Sequence, residues 1–211
     1  MRFGVNTLRF QSGGRLAAAL LVLALAACGE RPKLEHLASD AVVLAFGDSL
    51  TYGTGAATSD SYPAVLEKRI GRKVVNAGVP GETSGEGLAR LPGVIDEVQP
   101  RILILCHGGN DFLRKLDEGR AAENVRAMIR LAREKGIGVV LLAPPRPGIP
   151  PAVPSFYREI SAALKIPFDE GTIKAVLLDS RLKSDFVHPN AQGYAKIADA
   201  VHEMLRKAGA I

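Results

Sequence analysis

The chain has 211 residues, 47% of them hydrophobic and 23% charged, which is enough for one well-buried core and short for two domains. Its formal charge is +5, but Arg2, Arg9 and Arg15 belong to an N-terminal leader and the rest is close to balance. No basic cluster interleaved with aromatics remains, which excludes a nucleic-acid binder, and two cysteines, Cys28 and Cys106, exclude a disulfide-held scaffold.

The leader, residues 1–27, carries basic residues and no acid up to Arg15, then the uncharged apolar run Leu16 to Ala27. That is the pattern of a secretory signal and is too short to span a bilayer. Its end, Leu25-Ala26-Ala27-Cys28, resembles a bacterial lipobox, in which the cysteine is lipidated and becomes the first mature residue. The expectation is a lipid anchor on Cys28 and a periplasm-facing envelope location, with Gly29 resembling lipoproteins bound for a Gram-negative outer membrane. Residues 28–40 contain charges and Pro32 but little apolar periodicity, so they are read as a tether to a folded domain over 41–211.

From there, apolar runs alternate with helical patterns. Ala41–Phe46, Lys73–Ala77, Arg101–Cys106 and Gly138–Leu142 are continuous rather than alternating in hydrophobicity, as expected of strands covered on both faces. A fifth short strand is expected at Ile166–Phe168. Short helices are expected over Tyr62–Ile70, Gly85–Glu97, Ser155–Leu164 and Thr172–Leu178. In Ala121–Lys135, Val125, Met128, Ile129 and Ala132 fall on one stripe. After Asn190 as N-cap, Tyr194, Ile197, Ala198, Val201 and Leu205 do the same. Alternating strands and helices imply an α/β fold: a flavodoxin-like, doubly wound sheet of about five parallel strands with helices on both faces. In such sheets sites lie beyond the C-terminal strand ends. The stiff segment Pro144 to Pro151, after the fourth strand, is expected to wall one edge of that site.

The unusual polar residues gather after the strands. Gly47-Asp48-Ser49-Leu50 follows the first, Gly78 to Thr83 the second and Gly108-Gly109-Asn110-Asp111 the third, while Asp185-Phe186-Val187-His188 comes late. Acyl transfer needs a nucleophile, a base, an orienter for that base and donors for the oxyanion. Ser49, His188 and Asp185 fill the first three roles. Gly81, with an unobstructed N–H, and Asn110, with an amide, suit the fourth. Cys106 and His107 have no partner in this scheme and are read as packing or hydrogen-bonding residues. His36 and His202 lie away from it.

In that order the four blocks resemble the GDSL or SGNH hydrolases over Val42 to Leu205. The resemblance implies that Ser49 is the nucleophile, with Asp185 and His188 completing a triad. It also implies an oxyanion hole of the Ser49 and Gly81 N–H groups and the Asn110 side chain, with no metal and no organic cofactor. Residues 76–83 and 87–92 look most like the periplasmic arylesterase, thioesterase and lysophospholipase branch, which implies a small acyl-ester substrate. Phe186 stands where that branch has a glycine, and His107 where it has an apolar residue. An O-acetyl esterase acting on envelope glycans is the second enzymatic reading. A flavodoxin-like binding module is the non-enzymatic one, although it leaves His188 without a task.

Overall fold

The computed structural model describes Met1, Gly4 and residues 32–211. The apolar leader and Cys28 lie outside the described residues. Pro32–Ile211 form one compact unit, which takes in residues ahead of the expected start at Ala41. The second part of the expected tether is docked: Leu34 and Leu37 donate their N–H groups to Ala208 and Ala210 O at 2.9 and 2.8 Å, and Leu37 is buried. Leu34 and Leu37 supply the apolar anchor points in a stretch that reads as polar by composition.

Five strands form the sheet: β1 (Val43–Gly47), β2 (Val74–Gly78), β3 (Ile102–Cys106), β4 (Gly138–Leu142) and β5 (Phe168–Asp169). All pair in parallel, in the order β2-β1-β3-β4-β5, as the expected doubly wound topology requires. The chain runs outward from β1 to β2 and then returns to β3 on the other side. The connections leaving β1 and β3 therefore diverge, and a crevice opens between them.

Successive strand residues point to opposite faces, and each face meets its own helices. Val43, Ala45, Ile102, Ile104, Val140 and Leu142 pack on Tyr62 and Leu66 of α2 (Tyr62–Ile70), Val176 of α7 (Thr172–Leu178) and the Tyr194 stripe of α8 (Ala191–Lys207). Leu44, Phe46, Leu103, Leu105, Val139 and Leu141 pack on Leu91 and Ile95 of α3 (Ser84–Val98), the Val125 stripe of α5 (Glu118–Glu134) and Tyr157 of α6 (Ser155–Leu164). Both strand faces are buried, which is why the runs are continuously apolar. Asn190 caps α8, accepting from Gly193 N at 3.1 Å.

The fifth strand starts at Phe168 rather than Ile166. Ile166 instead donates to Ser161 O at 3.2 Å, closing α6 behind the left-handed Lys165, and Pro167 has no N–H to give a ladder. Two short helices, α1 (Ser49–Tyr52) and α4 (Gly109–Leu113), stand where the sequence reads as loops.

Candidate active site

β1 delivers the chain into the crevice at Gly47. A side chain there would collide with Thr51 and the Cys106 carbonyl, so glycine lets the strand pass directly into α1. Asp48 caps that helix, its Oδ1 accepting from Leu50 N at 3.0 Å. Ser49 is the first helical residue and is half-buried.

Residues 183–189 form a tight loop bridged between Lys183 and Pro189. Asp185 Oδ1 accepts from Val187 N at 2.8 Å and His188 N at 2.9 Å. Its other oxygen, Oδ2, lies 2.8 Å from His188 Nδ1, and His188 Nε2 lies 3.0 Å from Ser49 Oγ. One carboxylate thus fixes both the backbone and the ring, and the ring bridges to a hydroxyl 139 positions away. Partial burial pushes the Asp185 carboxyl up. The ring bond and the two N–H bonds outweigh this and hold it below its ordinary value.

On the other side of Ser49 lies a buried polar layer. Asn110 is 9% exposed and donates from Nδ2 to Glu82 O at 3.0 Å and, over a longer 3.3 Å, to Asp48 Oδ2. Gly81 takes φ +82°, a conformation that favours glycine, and Arg114 donates to its carbonyl at 2.6 Å. Among the described residues, neither the Ser49 N–H nor the Gly81 N–H has an intramolecular acceptor, so both are available to a ligand. Burial raises the Asp48 carboxyl, with His107 the chief opposing influence.

The four sequence blocks therefore meet at one end of the sheet: Ser49, Asn110 and His188 line one crevice, Asp185 stands behind the His188 ring, and Gly81 precedes the residue whose carbonyl accepts the Asn110 amide. Residue-by-residue reading missed the supports behind them. Asp48 holds the turn and meets the Asn110 amide. Asp111 accepts from Ser84 N at 2.8 Å and Ser84 Oγ at 2.7 Å, tying α4 to the start of α3. Charged side chains inside glycine-rich turns at strand ends were the available signal. Cys106 lies in the core and His107 is fully buried. The His107 carbonyl accepts from Tyr157 OH at 2.6 Å.

Beside Ser49 and His188 opens a cavity of about 420 Å³. Leu50, Leu113, Leu177, Leu178, Phe186 and Val187 line it together with the Pro144–Pro151 segment, so that segment does wall the site. Phe186 and Ile149 stand 59% and 94% exposed at its margin. Among the described residues no group of three or more His, Cys, Asp or Glu side chains is arranged to hold a metal ion.

The chain is 31% identical over 198 residues to "Esterase TesA" of Pseudomonas aeruginosa, covering 87% of this chain and 97% of that protein. It is 29% identical over 172 residues to "Thioesterase 1/protease 1/lysophospholipase L1" of Escherichia coli K12, covering 78% and 83%. A crystal structure of TesA superposes with a TM-score of 0.71 at 28% identity, covering 79% of this chain and 99% of the other. Residues 45–196, which span all four blocks, match the model of the GDSL-like lipase/acylhydrolase family, and the chain belongs to that family.

Proposed function

We propose that this family member hydrolyses carboxylic esters, including thioesters and lysophospholipid esters, through an acyl-enzyme on Ser49. The observation that carries the reading is the relay Asp185–His188–Ser49, with bonds of 2.8 and 3.0 Å. Neutral His188, held with Nδ1–H toward Asp185, takes the Ser49 proton at Nε2 as Oγ adds to the ester carbonyl. The oxygen that becomes negative is received by the Ser49 and Gly81 N–H groups and by Asn110. Asn110 joins by exchanging its longer bond to Asp48 for the oxyanion, while its bond to Glu82 O keeps the amide in plane. Protonated His188 then gives its proton to the leaving oxygen or sulfur, and water repeats the sequence to release the acid.

The apolar lining favours an acyl chain longer than acetate, which weighs against the glycan O-acetyl esterase. The hydrogen-bonded relay gives His188 a task that a binding module lacks. The chain is further assigned to the bacterial envelope, on the membrane through a lipid on Cys28 and facing the periplasm, which is the outer membrane in a Gram-negative host. The basic leader and the Leu25-Ala26-Ala27-Cys28 run support this. A Cys28→Ser protein is expected to leave the membrane fraction or fail to mature, and normal maturation with unchanged fractionation would refute the anchor.

The test of the activity is a panel of nitrophenyl esters of rising chain length, run beside an acetylated glycan, with Ser49→Ala as control. Expected is Ser49-dependent hydrolysis that prefers chains beyond acetyl. Hydrolysis of acetylated glycan alone would hand the site to the second enzymatic reading, and no hydrolysis at all would reject an enzyme.

A further inference from the structure

Behind the oxyanion side lies a group of buried polar side chains that acyl transfer itself does not use. Glu82 is 7% exposed, and its carboxylate is gripped by Arg90 through two bonds, Nε to Oε1 at 2.6 Å and Nη2 to Oε2 at 2.7 Å. Arg90 also donates to Ala77 O at 3.0 Å, and its guanidinium stacks 4.1 Å from the centre of the Phe46 ring. His107, with no exposed surface, leans on the same ring, 5.3 Å between centroids, and brings Nε2 within 3.1 Å of Glu82 Oε2. Beyond this approach to Glu82, neither ring nitrogen has a hydrogen-bond partner among the described residues. Room for the ring is made by Gly87 of α3, where a Cβ would stand 2.6 Å from Nε2. Unpartnered buried polar atoms are costly, and here one of them, Nε2, approaches a carboxylate.

The location of that carboxylate gives the arrangement its meaning. The main-chain carbonyl of Glu82 accepts the Asn110 amide at 3.0 Å, and the residue before Glu82 is Gly81, whose N–H has no intramolecular acceptor among the described residues. His107 in turn sits three residues before Asn110, directly after β3. A displacement of Glu82 therefore moves two of the three oxyanion donors together.

We propose that Glu82 is a positioning residue for the oxyanion hole, locked by Arg90 on one side and His107 on the other. This rests on the acyl-transfer reading above. The lock acts on the transition state rather than on substrate binding, because the donors it aims meet the oxygen only as negative charge develops. Donor groups displaced by a few tenths of an ångström still admit a neutral ester but lose their aim at the oxyanion.

A double-mutant cycle separates this role from mere stabilisation. The wild-type chain, Glu82→Gln, Asn110→Ala and the double variant are compared on one nitrophenyl ester, each with its thermal unfolding recorded. Expected is a kcat loss on the order of 10-fold for Glu82→Gln with KM changed less than about twofold, shrinking to threefold or less in the Asn110→Ala background. His107→Leu, which keeps volume near the ring but cannot approach the carboxylate as a polar group, is expected to show the same non-additivity with a smaller loss. It serves as the second probe where Glu82→Gln does not fold. Equal losses in both backgrounds, or losses confined to KM, would overturn the positioning role while leaving the hydrolase reading intact. A wild-type chain without turnover overturns the hydrolase reading and this inference with it.

Discussion

Ser49 divides the site into two halves built in opposite ways. The base side is a short surface loop whose Asp185 side chain is 52% exposed and whose defining bonds join residues two and three apart. The oxyanion side is buried, and its bonds join residues 27, 28 and 62 positions apart. A local loop can set a ring and a carboxylate cheaply, because few backbone torsions separate them. Donors that must meet an oxyanion from three loops need a rigid layer underneath, and low dielectric strengthens what those donors do. The base side should therefore fail through chemistry with little loss of stability, and the oxyanion side through both.

The largest effect expected is on the base side. Asp185→Asn should lower kcat by about 10⁴, the scale of this exchange in serine-protease triads, with unfolding nearly unchanged because the carboxylate is half in water. Partial burial pushes the Asp185 carboxyl up, but its bonds to the His188 ring and to the Val187 and His188 N–H groups hold it below its ordinary value; an amide in its place keeps an acceptor for those N–H groups and loses the charge. An unchanged rate in the variant would reduce the base side to a Ser49–His188 pair.

On the oxyanion side, Asn110→Ala should cost about 10²–10³ in kcat. It should also destabilise the fold, because Glu82 O loses a donor in the interior at 3.0 Å and an unmet buried acceptor costs about 1–3 kcal/mol. Loss of turnover with no change in unfolding would contradict the contrast between the halves.

Acid should act on the oxyanion side as well. Burial pushes the Glu82 carboxyl up, but Arg90, with His107 beside it, prevails and lowers it from 4.5 to about 2. A carboxyl depressed in the folded state stabilises the protein above its unfolded value, and that contribution is lost as pH falls from about 4.5 toward 2. The amount is on the order of 3 kcal/mol. Stability measured by urea unfolding across that window should fall steeply in the wild type and more gently in Glu82→Gln. Parallel curves would remove Glu82 from the account of acid sensitivity.

The same division decides what was legible in the sequence. Asp185 and His188 stand three apart and Gly47-Asp48-Ser49 is contiguous; each is weak alone, and it is their order with the other two blocks that brings the chemistry into view. The sheet was legible because both its faces are covered, which leaves strands uniformly apolar, and α6 and α7 were legible to the residue. Glu82, Arg90 and His107 were not, since nothing local in 82, 90 and 107 says that three different segments bring them together, with Arg90 and His107 against Phe46. Ile166 misled for a related reason: its apolar side chain is strand-like, but its N–H was already committed to closing α6. The docking of Leu34 and Leu37 is likewise a contact with the far end of the chain, invisible in the composition of residues 28–40.

The smallest effect tests whether the oxyanion side depends on Glu82 itself or on the helix that begins just after it. Thr83 is the N-cap of α3 and forms a capping box: its Oγ1 accepts from Glu86 N at 3.4 Å, and Glu86 Oε2 accepts from Thr83 N at 2.8 Å. Thr83→Ala removes the side-chain half of that box and should cost about 1 kcal/mol, lowering Tm by roughly 2–4 °C for a domain of this size. Turnover should stay within about twofold of wild type, because the first turn of α3 is also tied by Asp111 to Ser84 at 2.7 and 2.8 Å and Glu82 by Arg90 at 2.6 and 2.7 Å. The Asp111 bonds lie deeper than the cap, and neither set uses the Thr83 side chain, so both survive its loss. If Thr83→Ala instead lost as much turnover as Asn110→Ala, the aim of the Gly81 and Asn110 donors would depend on where α3 starts, and the Glu82 carboxylate would be one more helix-side contact.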